Sequence, residues 1–292
     1  MQSTLFSWSV LVALALMCQF SAWATQGFVP SAKENSVKEA TCSRPIQIAA
    51  SPIGRSMIIS PEGNISGATK AFFDLIEKDT ACVFEYVIVP RARAWHMLEG
   101  AQIDLVADAT RSPERDRAAQ FLAVTKSRPV LISLPNRVLK PKTIEELINS
   151  PMTLITFTGH FWGQAYRDLL SNPKMQGRIS SVPSPEIAIK MLMRGRADAI
   201  LSGQAVIFDA WENAGNGGKL NTDEIDGLPA LSVGMYMSRN KMSGQDRKLI
   251  ESATLARIKS GDLAKTINDY YPTWAIYHEK PTATTTKKTG KR

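Results

Sequence analysis

The side chains able to do chemistry are few, and most are arginines. His96, His160 and His278 lack metal-ligand spacing. There is no Gly-rich loop ending in Lys-Ser/Thr to cradle a phosphate, and no nucleophile elbow. Two arginine-bearing segments stand out instead, Val89-Pro90-Arg91-Ala92-Arg93-Ala94 and Ala109-Thr110-Arg111-Ser112-Pro113-Glu114-Arg115. A guanidinium offers a planar fork of donors that matches a carboxylate. Asp108 and Thr110 follow the apolar run 103–106, and open α/β sheets take ligands at the carboxyl ends of their strands. Asp108 is also the best candidate for an acid, because burial raises a carboxyl pKa. The competing reading of Arg115 is a surface ion pair among Glu114, Asp116 and Arg117.

The elements that must hold these residues follow from periodicity. Ala68, Ala71, Phe72, Leu75 and Ile76 fall at i, i+3, i+4, i+7 and i+8, one face of a helix. Strand-like runs at 46–49, 83–89 and 103–106 alternate with that helix and one opened by Pro90, an order that predicts a parallel sheet with helices packed on it. The second half repeats this pattern. A strand at 153–155 precedes a helix over 161–170, then Ser184-Pro185 caps a helix that stops at Gly195 before a strand at 199–201. Met97-Leu98 leads through Gly100 to Asp104, and Met191-Leu192 through Gly195 to Asp198, one helix-glycine-strand turn per half. A β-like run at 228–237 and helices at 243–259 and 261–270 complete the folded part. A chain leaving the first half near 135 and returning near 229 makes two crossovers, which would act as a hinge.

The chain has 292 residues, 44% hydrophobic and 21% charged, which excludes a disordered or fibrous protein. Of the net charge of +8, Lys280, Lys287, Lys288, Lys291 and Arg292 supply five, so the body carries only +3 and a nucleic-acid partner is not indicated. The tail, 280–292, has no core residue and is expected to be disordered. Residues 1–24 read as a cleaved secretory signal, with an apolar run 5–20 followed by Ala22 and Ala24 as the small-x-small site. An uncleaved anchor is the alternative, although about 16 residues is short for a span. After cleavage Cys42 and Cys82 remain, each just ahead of a strand-like run. If those strands are parallel neighbours in an oxidising compartment, a disulfide can close there and stabilise by about 4 kcal/mol. Two buried free thiols are the other possibility.

Taken in order, the 89–94 segment, Gly100 with Asp104, the 109–115 segment with Phe121, Gly195-Arg196-Ala197-Asp198-Ala199, and Gly261-Asp262-Leu263 with Ile267 and Tyr270 resemble the family 3 periplasmic solute-binding proteins. These are the receptors of polar amino-acid ABC importers, and the resemblance covers about residues 44–272. It implies an α/β, two-lobed, periplasmic binding protein-like type II fold with the ligand cleft between the lobes. Lobe 1 would be 44–134 plus 230–272, and lobe 2 would be 135–229. It further implies a periplasmic monomer, not an enzyme, that closes on a small carboxylate-bearing ligand, an amino acid or organic anion, and delivers it to an inner-membrane permease. No cofactor or metal is implied.

Residue by residue, the resemblance puts Arg115 on the ligand carboxylate, with Thr110 and Asp108 as further contacts. Gly159, His160 and Phe161 fall at a helix start that would favour an anion. His160 departs from the family's hydroxyl and is either a pH sensor near 6.5 or simply solvent-facing. Gly203, flanked by Ser202 and Gln204, stands where an Asp usually holds the ligand ammonium. Ser56, with Arg55 beside it, falls near the aromatic lid position, and Arg91 stands at a position that is usually apolar or aromatic. One anion fewer and two cations more favour an anionic ligand. Alternatively, Arg55 and Arg91 pair with acids such as Glu62 or Glu85. Two further readings are an enzyme resembling cyclohexadienyl or arogenate dehydratases, with Asp108 as acid, and a receptor for a signalling partner.

Overall fold

The apolar runs become strands, and the amphipathic segments between them become helices. The computed structural model describes residues 41–215 and 219–276. In chain order come β1 (Ile46–Ala50), β2 (Ile58–Ile59), β3 (Ile65–Ser66), α1 (Ala68–Thr80), β4 (Phe84–Ile88), α2 (Arg91–Glu99), β5 (Leu105–Thr110), α3 (Pro113–Ala118) and β6 (Ala119–Ser127). Next are β7 (Val130–Ser133), α4 (Ile144–Asn149), β8 (Leu154–Phe157), α5 (Gln164–Ser171), β9 (Ile179–Val182), α6 (Pro185–Met193), β10 (Ala199–Ser202), α7 (Gln204–Asn213) and β11 (Asn221–Glu224). The chain then returns with β12 (Leu231–Ser238), α8 (Gly244–Lys259) and α9 (Asp262–Tyr270).

Two five-stranded sheets result, ordered β4-β1-β5-β12-β6 and β11-β7-β10-β8-β9. In the first, β1, β4 and β5 are parallel as expected, but β12 and β6 run antiparallel, so the sheet is mixed. The change of lobe falls at Arg128-Pro129, ahead of the 134/135 boundary expected above. Val130, Leu131 and Ile132 are buried in the second lobe's core, where β7 pairs with β10, and so cannot belong to the first sheet. Return is between β11 and β12.

Local chemistry explains the helix ends. Ser184 accepts from the Ile187 N–H with Pro185 in the first turn, the cap expected for α6. Past α6, Gly195 takes the left-handed conformation (φ 65°) and the Arg196 N–H reaches the Met191 carbonyl at 3.0 Å. After α2 the matching bond, Gln102 N–H to Met97 carbonyl at 2.7 Å, puts Ala101 rather than Gly100 in the left-handed position (φ 53°). The internal echo is therefore real but aligned on Ala101.

The echo also has a structural purpose. Fully buried Asp104 accepts from the Gln47 backbone N–H at 2.9 Å and from Arg44. Asp198 likewise accepts from the Thr153 N–H at 2.6 Å and pairs with Arg137. In each lobe an aspartate at a strand start pins the start of the neighbouring strand. Beside the first clamp, the parallel register Ile46↔Phe84 brings Cys42 and Cys82 together, and they form a disulfide with Cα atoms 4.8 Å apart. The free-thiol alternative falls. Residues 1–24 and 280–292, read as signal and tail, lie outside the described residues. Among the described residues no helix is long and apolar enough to cross a membrane.

Candidate functional site

A cavity of about 330 Å³ lies between the lobes. Of the ten residues picked out as ligand-binding, nine line it: Ser56, Arg91, Asp108, Thr110, Arg115, Gly159, His160, Phe161 and Gln204. Arg55 does not. Its guanidinium bonds Asp209 at 2.9 Å and Glu212 at 2.6 Å on α7, and stacks on Phe208, 4.6 Å from the ring centroid. It pairs with acids as the alternative had it, but with α7 rather than Glu62 or Glu85.

Arg91 opens α2 and turns both terminal nitrogens onto the carbonyls of Ala107 (2.8 Å) and Asp108 (2.7 Å) at the end of β5. Arg115 bonds the carbonyls of Thr110 (3.2 Å) and, across the cleft, Gly159 (3.4 Å). Both guanidinium groups lie against the Trp95 ring, at 4.8 and 3.6 Å from its centroid. Trp95 was not singled out from sequence. Its signal was its place one helical turn after Arg91, which puts both on one face of α2. Burial lowers the pKa of each arginine to about 10, which leaves both charged at neutral pH.

Asp108 sits in the left-handed region (φ 53°), a conformation rare outside glycine and concentrated at functional sites. Its carboxylate accepts from the Thr69 hydroxyl at the start of α1, 2.9 Å to each oxygen. Burial raises its pKa, opposed by nearby Arg91 and by the Thr69 bond. Ser56 contacts the Tyr271 hydroxyl at 3.2 Å.

From the second lobe, the 159–163 segment is a loop, since α5 begins only at Gln164 with Gly163 as its cap. Positive φ at Gly159 (79°) and Gly163 (89°) holds this shape. The His160 N–H is taken by the Phe157 carbonyl at 3.2 Å, and Gly159 presents its carbonyl to Trp95 Nε1 (3.2 Å) and Arg115. The expected helix-start anion site is therefore corrected, because this loop offers acceptors to the cleft. Thr110 Oγ1 also donates across the cleft, to the Phe161 carbonyl. His160 is neither a solvent-facing histidine nor a sensor near 6.5. Burial first, then Arg91 and Arg115, lower its pKa to about 3, so the ring is neutral.

Gly203 has a physical explanation. A Cβ there would come within 2.9 Å of the Trp162 ring, which fills the space a side chain would need. Four cations (Arg91, Arg115, Lys126, Arg128) and two acids (Asp108, Glu224) line the cavity, and Arg128 pairs with Glu224 at 2.7 Å. The wall is therefore net positive. Among the described residues there is no cluster able to hold a metal.

No family model and no curated protein matches the sequence. Solved structures do match the fold. An ABC uptake transporter substrate-binding protein from Streptococcus pneumoniae with bound histidine superposes with a TM-score of 0.66 at 15% identity, covering 80% of this chain and 95% of its own. An ancestral amino acid-binding protein, a precursor of cyclohexadienyl dehydratase, gives 0.63 at 15%, covering 78% and 95%. A histidine kinase sensor domain with similarity to periplasmic binding proteins gives 0.65 at 14%, covering 78% and 96%. The chain therefore has the α/β, two-lobed type II periplasmic-binding-protein fold, the architecture expected from the sequence. Neighbours of that architecture serve import, catalytic ancestry and sensing, so the fold alone does not choose among them.

Proposed function

We propose that this is an extracytoplasmic solute-binding protein of the family 3 type, which closes on a small carboxylate-bearing ligand and presents it to an ABC importer. One observation carries the reading: Arg91 and Arg115 give their hydrogen bonds to neutral carbonyls, so that with Asp108 as the carboxylate beside Arg91 the pair still leaves net positive charge in the cleft for an anion. Arg115 grips the carboxylate, Arg91 adds field, Thr110, Ser56 and Gln204 supply polar contacts, and the 159–161 loop closes from lobe two. The moving bodies are the two sheet-bearing lobes, hinged at 128–129 and between β11 and β12. The Cys42–Cys82 disulfide fits a periplasmic location, and the partner is an inner-membrane permease that reads the closed shape of a monomer. Calorimetry with a panel of dicarboxylates and amino acids tests this. The reading requires binding by carboxylates that disappears in Arg115→Ala, and tight binding of a basic amino acid would overturn the anionic preference.

A second reading, a dehydratase-like enzyme, is favoured by one feature, the raised pKa of Asp108 in a strained backbone position. Prephenate turnover by purified protein, lost in Asp108→Asn, would replace the binding-only reading.

A further inference from the structure

The space between the lobes extends past the arginines. The same cavity is lined by Phe72 and Phe73 of α1, Val124 of β6, Met235 of β12 and Leu263 of α9. All five belong to the apolar cluster of lobe one, as does Ala107, the residue before Asp108 on β5. The cavity is thus amphipathic, with guanidinium groups and Asp108 at the cleft and an arm of hydrocarbon wall reaching the lobe-one core. On the cleft side, Trp162 occupies the room beside Gly203 and sets no charge against a ligand ammonium.

Resting on the carboxylate reading above, we infer that the ligand is an amphipathic acid, whose carboxylate faces Arg115 and whose apolar body, an aromatic ring or short hydrocarbon chain, enters the arm. A small dicarboxylate would leave the apolar side of the cavity, including the partly exposed Val124 and Leu263, without an apolar group to pack on it. An apolar body gains affinity from the same wall, about fourfold per methylene at ~0.8 kcal/mol each.

The test is titration calorimetry on the full chain with two sets of probes. One is the series acetate, butanoate, hexanoate and 3-phenylpropanoate, and the other is succinate and glutamate. Affinity is expected to climb about fourfold per added methylene until the arm is full, with 3-phenylpropanoate more than tenfold tighter than succinate. Leu263→Trp, which narrows the arm at a partly exposed position, should weaken 3-phenylpropanoate at least tenfold and leave acetate within twofold. A thermal melt on the same sample verifies that the variant is folded. Succinate or glutamate binding more tightly than a flat monocarboxylate series overturns the amphipathic ligand and leaves the carboxylate reading standing. Binding by none of the six acids overturns both.

Discussion

Arg115 lies 3.6 Å above the Trp95 ring, and this stack makes it more than a point of charge. Lysine would keep the charge but lose the fork and the planar stacking. Arg115→Lys should therefore weaken carboxylate binding by about 1.5–3 kcal/mol, roughly ten- to a hundredfold by calorimetry. His160 supports a second prediction. It is held neutral in the folded chain with a pKa near 3, below the ordinary 6.5, so unfolding below pH 6.5 takes up a proton. Its contribution is intact above 6.5 and falls as pH drops through that value. The expected loss is about 1 kcal/mol at pH 5.5 against pH 7.5, discounted because the ring borders the cavity. Denaturant melts at the two pH values should show this loss in the parent and not in His160→Gln. At this scale nine of the ten residues picked from sequence line the cavity, because ligand groups cluster after strand ends, while Trp95, Lys126, Arg128 and Trp162 carried no such signal. The sequence could not show where Arg55 goes, since its partners are more than 150 residues away on α7.

At the scale of elements, the turn after α2 carries avoidable strain. Ala101 holds the left-handed conformation that Gly195 adopts in the matching turn. Ala101→Gly should stabilise by about 0.5–1 kcal/mol, seen as a higher melting temperature with unchanged ligand affinity. Nearby, the disulfide ties the starts of β1 and β4 across a sequence separation of 40. Removing it as a double serine variant should cost about 4 kcal/mol in a chemical melt on the chain-entropy account. Strands made of apolar runs, such as β1, β4 and β5, could be read from sequence. β11, Asn221-Thr222-Asp223-Glu224, could not, because an edge strand of polar residues carries no hydrophobic signal and forms through its pairing with β7. Gly100 misled for a related reason. Glycine is the usual left-handed residue, and here tertiary context places the alanine after it in that role.

Across the whole molecule, the lobes touch through groups that need no ligand. Arg55 of lobe one bridges Asp209 and Glu212, while Phe208 of α7 packs with Ala68 and Tyr271 of lobe one. These ion pairs are partly exposed and add roughly 0.5–1 kcal/mol each to the closed form. With both pairs lost, about 1–2 kcal/mol, Arg55→Ala should shift the open-closed balance about five- to thirtyfold toward open. Small-angle scattering would show it as a larger radius of gyration without ligand, and calorimetry as a matching loss of affinity. A Cβ at Gly159 would stand 3.1 Å from the Ala92 nitrogen on the opposite lobe, in a backbone conformation that disfavours side chains. Gly159→Ala is expected to act in the same direction as Arg55→Ala, through contact rather than charge. Two lobes were legible from the repeated β-α order, whereas the insertion of the 53–56 segment against α7 was not, because nothing local marks it.

The indole of Trp95 donates to the Gly159 carbonyl of the facing lobe and lies beneath two guanidinium groups. Separation of the lobes would strip that bond and change the polarity around the ring. The molecule thus contains its own optical gauge: with the other tryptophans replaced, emission from Trp95 alone would report closure in real time, with no dye attached.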